Sequence, residues 1–167
     1  MPTTPIYARE KCMLEDYPVV TEVIVRWGDM DSLGHVNHLL YLRYFEIARI
    51  EYLLRLGLPS PGPAWREAGM ILKSVNCRYK AAVTFPDTLS VGARMVDLGD
   101  DHATMQHVAV SQKLGTVAAV GDAALVAYDY VAQRKSVFAP GVREAILGLE
   151  GREIPCRDGR TTRESRP

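Results

Sequence analysis

Two aspartates, two histidines and an asparagine crowd one short stretch, Asp29-Met-Asp-Ser-Leu-Gly-His-Val-Asn-His38. A carboxylate can act as nucleophile or general base, and imidazole titrates near working pH. Apolar sequence flanks the stretch on both sides, so ionisable groups are packed between two hydrophobic elements. Stability alone does not call for them there, and the stretch is read as an active site. Plainer roles stand beside that reading. Asp29, Asp31 and Ser32 suit a turn and a helix cap, and Gly34 can take a backbone conformation closed to other residues.

The elements that must position these groups follow from periodicity. Residues 19–27 are rich in β-formers and predict a first strand. Nothing interrupts a helix from 37 to 56, and Gly57 and Pro59 stop it. Its apolar residues, from Leu39 through Tyr41, Tyr44 and Phe45 to Leu54, cover most of the circumference, as in a buried helix. Residues 59–69 predict a loop, with helix possible only over 65–68, where Trp65 stands. Strands are expected over 70–83, 89–96, 103–112 and 115–131, the last pair joined at Lys113-Leu-Gly115. A short helix over 140–149 closes the fold. Residues 1–18 read as an arm, 19–150 as one domain, and 151–167 as a disordered tail. The layout is α+β: about five mainly antiparallel strands and one long helix. One sheet cannot cover such a helix, and a second copy of the chain is the expected remedy.

Composition narrows the function classes. Twenty basic residues balance twenty acidic ones in 167 residues, so no net field selects nucleic acid or an anionic membrane. No long uncharged apolar run predicts a membrane span, and no basic-then-apolar leader opens the sequence. Cys12, Cys77 and Cys156 are odd in number and lack metal-ligand spacing, which suits free thiols in a reducing, cytoplasmic compartment. Walker, dinucleotide and Gly-x-Ser-x-Gly patterns are missing. Asp29, Asp31 and His35 match no recognisable ligand motif, so no metal and no cofactor is expected.

The pattern Arg26-x-x-Asp29-x-Asp31-x-x-Gly34-His35-Val36-Asn37-x-x-x-Tyr41, followed by Glu46-x-x-Arg49, resembles the signature of hot-dog-fold acyl-CoA thioesterases. The branch is that of 4-hydroxybenzoyl-CoA thioesterase and the Tol-Pal-associated thioesterases. Residues 79–87 and 121–130 are similar to later strands of that family, and the likeness covers roughly 19–148. It implies a hot-dog fold, an antiparallel sheet wrapped around the central helix. It also implies a homodimer pairing into a tetramer, active sites at the dimer interface, and a CoA thioester as substrate.

Carried onto this chain, the family's catalytic carboxylate falls on Asp31, attacking the thioester or activating a water. Backbone N–H groups near Asn37 and His38 would receive the oxyanion, helped by the helix dipole. His38 matches a histidine of the Tol-Pal branch, while His35 and Asn37 match a variant related to plant acyl-carrier-protein thioesterases. The assisting histidine therefore stays open, as does a capping role for Asn37, and Asp29 reads as support for the elbow. Tyr41 and Tyr44 are candidates for lining an acyl pocket, Arg78 and Lys80 for meeting CoA phosphates. The expected reaction is hydrolysis of a fatty or aromatic acyl-CoA. The competing expectations are a non-catalytic acyl-binding protein and a hydratase or dehydratase on the same fold.

Overall fold

The computed structural model describes residues 12–57, 69–139 and 141–156. The loop at 59–68 with Trp65, the arm before 12 and the tail beyond 156 lie outside the described residues. β1 (Val19–Val25) leads through a 3-10 turn (Trp27–Asp29) to α1 (His38–Arg55). There follow β2 (Gly69–Val75), β3 (Arg78–Tyr79), β4 (Asp87–Leu98), β5 (His102–Ser111), β6 (Thr116–Asp129), β7 (Arg134–Lys135) and α2 (Val142–Glu150). All pairings are antiparallel, in the order β1-β4-β5-β6-β2, with β3 and β7 also on β6. The sheet curls around α1 as a half-barrel, the hot-dog arrangement.

The inward rows of β1, β4, β5 and β6 supply Val19, Val23, Leu89, Val91, Met105, Ala109, Ala123 and Leu125, packed on Phe45, Ala48 and Tyr52 of α1. Small residues on the central strands let the helix sit close. At Gly121 the approach is closest: an added Cβ would lie 2.3 Å from the Asn76 carbonyl oxygen and 2.7 Å from the Phe45 ring.

Four sequence expectations change. β1 stops at Val25, because the Asp29 carboxylate draws the Arg26 N–H out of the ladder at 2.8 Å. The single strand expected over 70–83 is two, with a bulge between Leu72 and Ser74, and residues 80–86 leave the sheet. The helix is buried on one side only, since Leu39 (61%), Ile50 (46%) and Leu54 (46%) stay exposed in the single chain. Further along, residues 12–18 lie on the outer face, where Leu14 packs with Val108 and Val110. Residues 151–156, assigned to the tail by composition, return to the sheet. Leu98 N–H donates to the Pro155 carbonyl, Ile154 is buried, and the Glu150 carboxylate accepts from Tyr52 and from the Met95 N–H. Among the described residues no helix is long and apolar enough to cross a membrane.

His107 is fully buried on β5, stacked on Phe45 at 5.0 Å, and neither ring nitrogen has a hydrogen-bond partner among the described residues. Burial, and then the Arg49 cation, push it from 6.5 down to about 3. The unfolded chain therefore takes up a proton below 6.5 that the folded chain refuses until about 3. Stability held above 6.5 is lost as pH falls through that window. Replacing His107 by Leu removes the linkage. Urea unfolding should show the wild type losing about 2 kcal/mol more than His107→Leu between pH 6.5 and 5. Equal acid sensitivity in the two proteins would contradict this account.

Candidate active site

The elbow is built by short-range hydrogen bonds that its own polar residues supply. Asp29 is the hub: one carboxylate oxygen accepts from the Arg26 N–H at 2.8 Å and from the Tyr44 hydroxyl at 2.9 Å. Its carbonyl accepts from the Asn37 N–H at 2.9 Å, so one residue joins the strand exit to the helix start. Asp31 closes the tip. Its Oδ1 accepts from Leu33 N–H at 2.9 Å, its N–H donates to the His35 carbonyl at 2.8 Å, and Gly34 turns there at φ +76°. Oδ2 of Asp31 has no donor among the described residues.

A second segment forms the floor. Val36 N–H donates to the Val83 carbonyl at 2.9 Å, Phe85 N–H meets the Met30 sulfur, and the Trp27 and Phe85 rings pack edge-on at 6.0 Å. α1 then starts with Asn37 as its N-cap, whose Oδ1 accepts from Leu39 N–H at 3.0 Å while its carbonyl accepts from Leu40 N–H. These bonds leave the His38 N–H as the first amide of the helix with no acceptor among the described residues. The positive end of the helix dipole adds to it.

The sequence candidates divide accordingly. Asp31, His35, Asn37 and His38 come together in one elbow, with both histidines exposed. Neither imidazole hydrogen-bonds the Asp31 carboxylate among the described residues. Tyr41 and Tyr44 are buried beneath it. Burial lifts Tyr41 to about 12, and burial together with donation to Asp29 raises Tyr44 further. Arg78 and Lys80 are exposed at β3. Glu46 sits between Arg43 and Arg49 on α1, a helix-face ion pair to each. No group of three or more His, Cys, Asp or Glu among the described residues could hold a metal ion.

Sequence reasoning missed Tyr79. Its hydroxyl donates to the His38 carbonyl at 3.0 Å and its ring packs on Tyr41 at 5.3 Å. The signal was there in the strand parity, which sets Val75, Cys77 and Tyr79 on one face.

Comparison with known proteins gives the family and the fold. A family model described as the thioesterase-like superfamily matches residues 25–146. The L-carnitine dehydrogenase/betainyl-CoA thioesterase of Agrobacterium fabrum is 27% identical over 88% of this chain, which spans only 30% of that longer protein. A Thermus thermophilus thioesterase solved in complex with coenzyme A and Zn is 34% identical. The likeness covers 84% of this chain and all of that one, with a TM-score of 0.74. The DHNA-CoA thioesterase of Staphylococcus aureus, at 20% identity over 83% of this chain and 98% of its own, shares the fold with a TM-score of 0.70.

Proposed function

The chain belongs to the thioesterase-like superfamily of thioester hydrolases, and on that premise we propose that it hydrolyses a fatty or aromatic acyl-CoA to the free acid and CoA, with Asp31 as the reacting carboxylate. One observation carries the reading. A single elbow holds a carboxylate with an oxygen and, at the helix start, an N–H at His38, both without a partner among the described residues.

The chemistry follows from that pair. Asp31 Oδ2 attacks the acyl carbon, or takes a proton from a water that does. The carbonyl oxygen gains the negative charge and is received by the His38 N–H, a donor already oriented by the cap. Collapse of the tetrahedral species breaks the C–S bond, and the CoA thiolate takes a proton. Direct attack leaves a mixed anhydride that a water then opens; the water route gives the acid in one step. Each ends in one carboxylic acid and one thiol for one water consumed. The imidazoles of His35 and His38 are exposed beside this path and can supply the proton to the thiolate. Arg78 and Lys80 offer charge for the CoA phosphates, and the Tyr41 side of the elbow faces the acyl group.

A second copy of the chain completes the picture. The exposed Leu39, Ile50 and Leu54 on α1 share a face with the Arg43–Glu46 ion pair, a mixed surface that a homodimer would cover, and dimers would pair into a tetramer. The three free cysteines suit the cytoplasm.

Thiol release from a panel of short-chain, long-chain and aromatic acyl-CoAs tests the proposal, with betainyl-CoA included because the Agrobacterium relative carries that name. Turnover of at least one ester is expected. Tight binding with no thiol released would instead make this a ligand-binding protein.

A further inference from the structure

Three tyrosines form an edge-to-face ladder beneath the elbow. Tyr44 and Tyr41 lie 5.9 Å apart at 64°, and Tyr41 and Tyr79 5.3 Å apart at 69°. Two of the hydroxyls hold different pieces of chain: Tyr44 donates to the Asp29 carboxylate, and Tyr79 donates to the His38 carbonyl at 3.0 Å. Tyr44 and Tyr41 are buried; Tyr79, on the two-residue β3, is 49% exposed.

The His38 carbonyl shares its peptide plane with the Leu39 N–H, which donates to the Asn37 side chain at 3.0 Å. A donor placed on a peptide carbonyl polarises the N–H of the same peptide, so bonds in such a chain strengthen one another. Tyr79, the first peptide of α1 and the Asn37 cap are thus one connected series, running from β3 to the residue before the helix. That series fixes the orientation of the whole first turn, including the adjacent His38 N–H. An oxyanion donor works only within a few tenths of an ångström of its target position, so a tether at this turn bears on rate more than on binding.

We infer that Tyr79 is a positioning residue for the oxyanion-binding turn, acting from β3 through the His38 carbonyl. The inference rests on the elbow being the thioester-cleaving site. Tyr79→Phe keeps the ring and its packing on Tyr41 and removes only the hydroxyl. With any acyl-CoA that the wild type hydrolyses, kcat should fall about tenfold, less than for direct loss of an oxyanion donor, with KM within about twofold. The factor should be the same for short, long and aromatic acyl groups, because the turn meets the carbonyl they share. In parallel, hydrogen exchange at the Leu39 amide should quicken by about tenfold in the variant, a readout that needs no substrate. Wild-type kcat, or a loss that appears in KM and varies with the acyl group, would overturn the positioning role. Unchanged Leu39 exchange would overturn it even if no ester tested were hydrolysed. Faster exchange in Tyr79→Phe, in a protein whose wild type cleaves no ester, would uphold the tether and count only against the proposed reaction.

Discussion

Asp31→Asn is expected to cut thioester hydrolysis by about a hundredfold or more, leaving the fold unchanged. The contrast between the two consequences makes the variant informative. The tip of the elbow uses Asp31 through its backbone and through Oδ1, which accepts the Leu33 N–H. An asparagine carbonyl oxygen accepts that bond equally well, so the turn and the approach to α1 persist. What disappears is the negative charge, and with it the proposed nucleophile or general base. Circular dichroism and the thermal midpoint should match the wild type, while thiol release falls away. If Asp31→Asn turns over at the wild-type rate, the carboxylate has been assigned to the wrong residue.

The largest effect on stability should come from Gly121→Ala. Gly121 faces His107 across the β5–β6 ladder, where the Asn76 carbonyl and the Phe45 ring both cross the strand. A methyl group there would stand 2.3 Å from backbone oxygen and 2.7 Å from the ring, and the backbone contact cannot be relieved by a rotamer change. Overpacking of this kind costs about 2–3 kcal/mol, so a midpoint lower by roughly 5–10 °C is expected. Gly148→Ala is the matched control. It lies in α2 with nothing within 4 Å of an added Cβ, and alanine there should stabilise the helix by about 0.5–1 kcal/mol. Equal midpoints for the two variants would show that the crossing at Gly121 is not tight in solution.

Local signals carried a good part of this architecture. The helix was legible because nothing between Asn37 and Leu56 breaks it and Asn37 is a strong cap. The β5–β6 hairpin was legible from Lys113-Leu-Gly115. The interruption between β2 and β3 was not, because its cause lies elsewhere in the chain: Asn76 bends over Gly121, 45 positions on in sequence. β1 read too long because Trp27 has strand propensity, yet Asp29 captures Arg26 first. At the site, Asp31, Asn37 and His38 could be read together since one continuous stretch contains them. Strand parity groups Tyr79 with Val75 and Cys77 but cannot name its partner, since 41 positions separate it from the carbonyl it holds. Tyr44 was read as a pocket residue from its aromatic character; its hydroxyl is committed to Asp29, a bond no periodicity reveals.

The strand order has a consequence for how this chain can be made. β1 and β2 occupy opposite ends of the main path, and the strands between them are all encoded later. A ribosome that has delivered residues through Val75 has therefore delivered both ends of the sheet and the helix it will wrap, but no two strands that pair. The same delay applies to Tyr52, whose hydroxyl waits for Glu150, 98 positions downstream. Pairing can begin only with β4 and is complete only after β7, so α1 is not covered by the whole sheet until those strands have been added. The elbow, encoded between β1 and α1, is in the chain well before the strands that enclose the helix it starts.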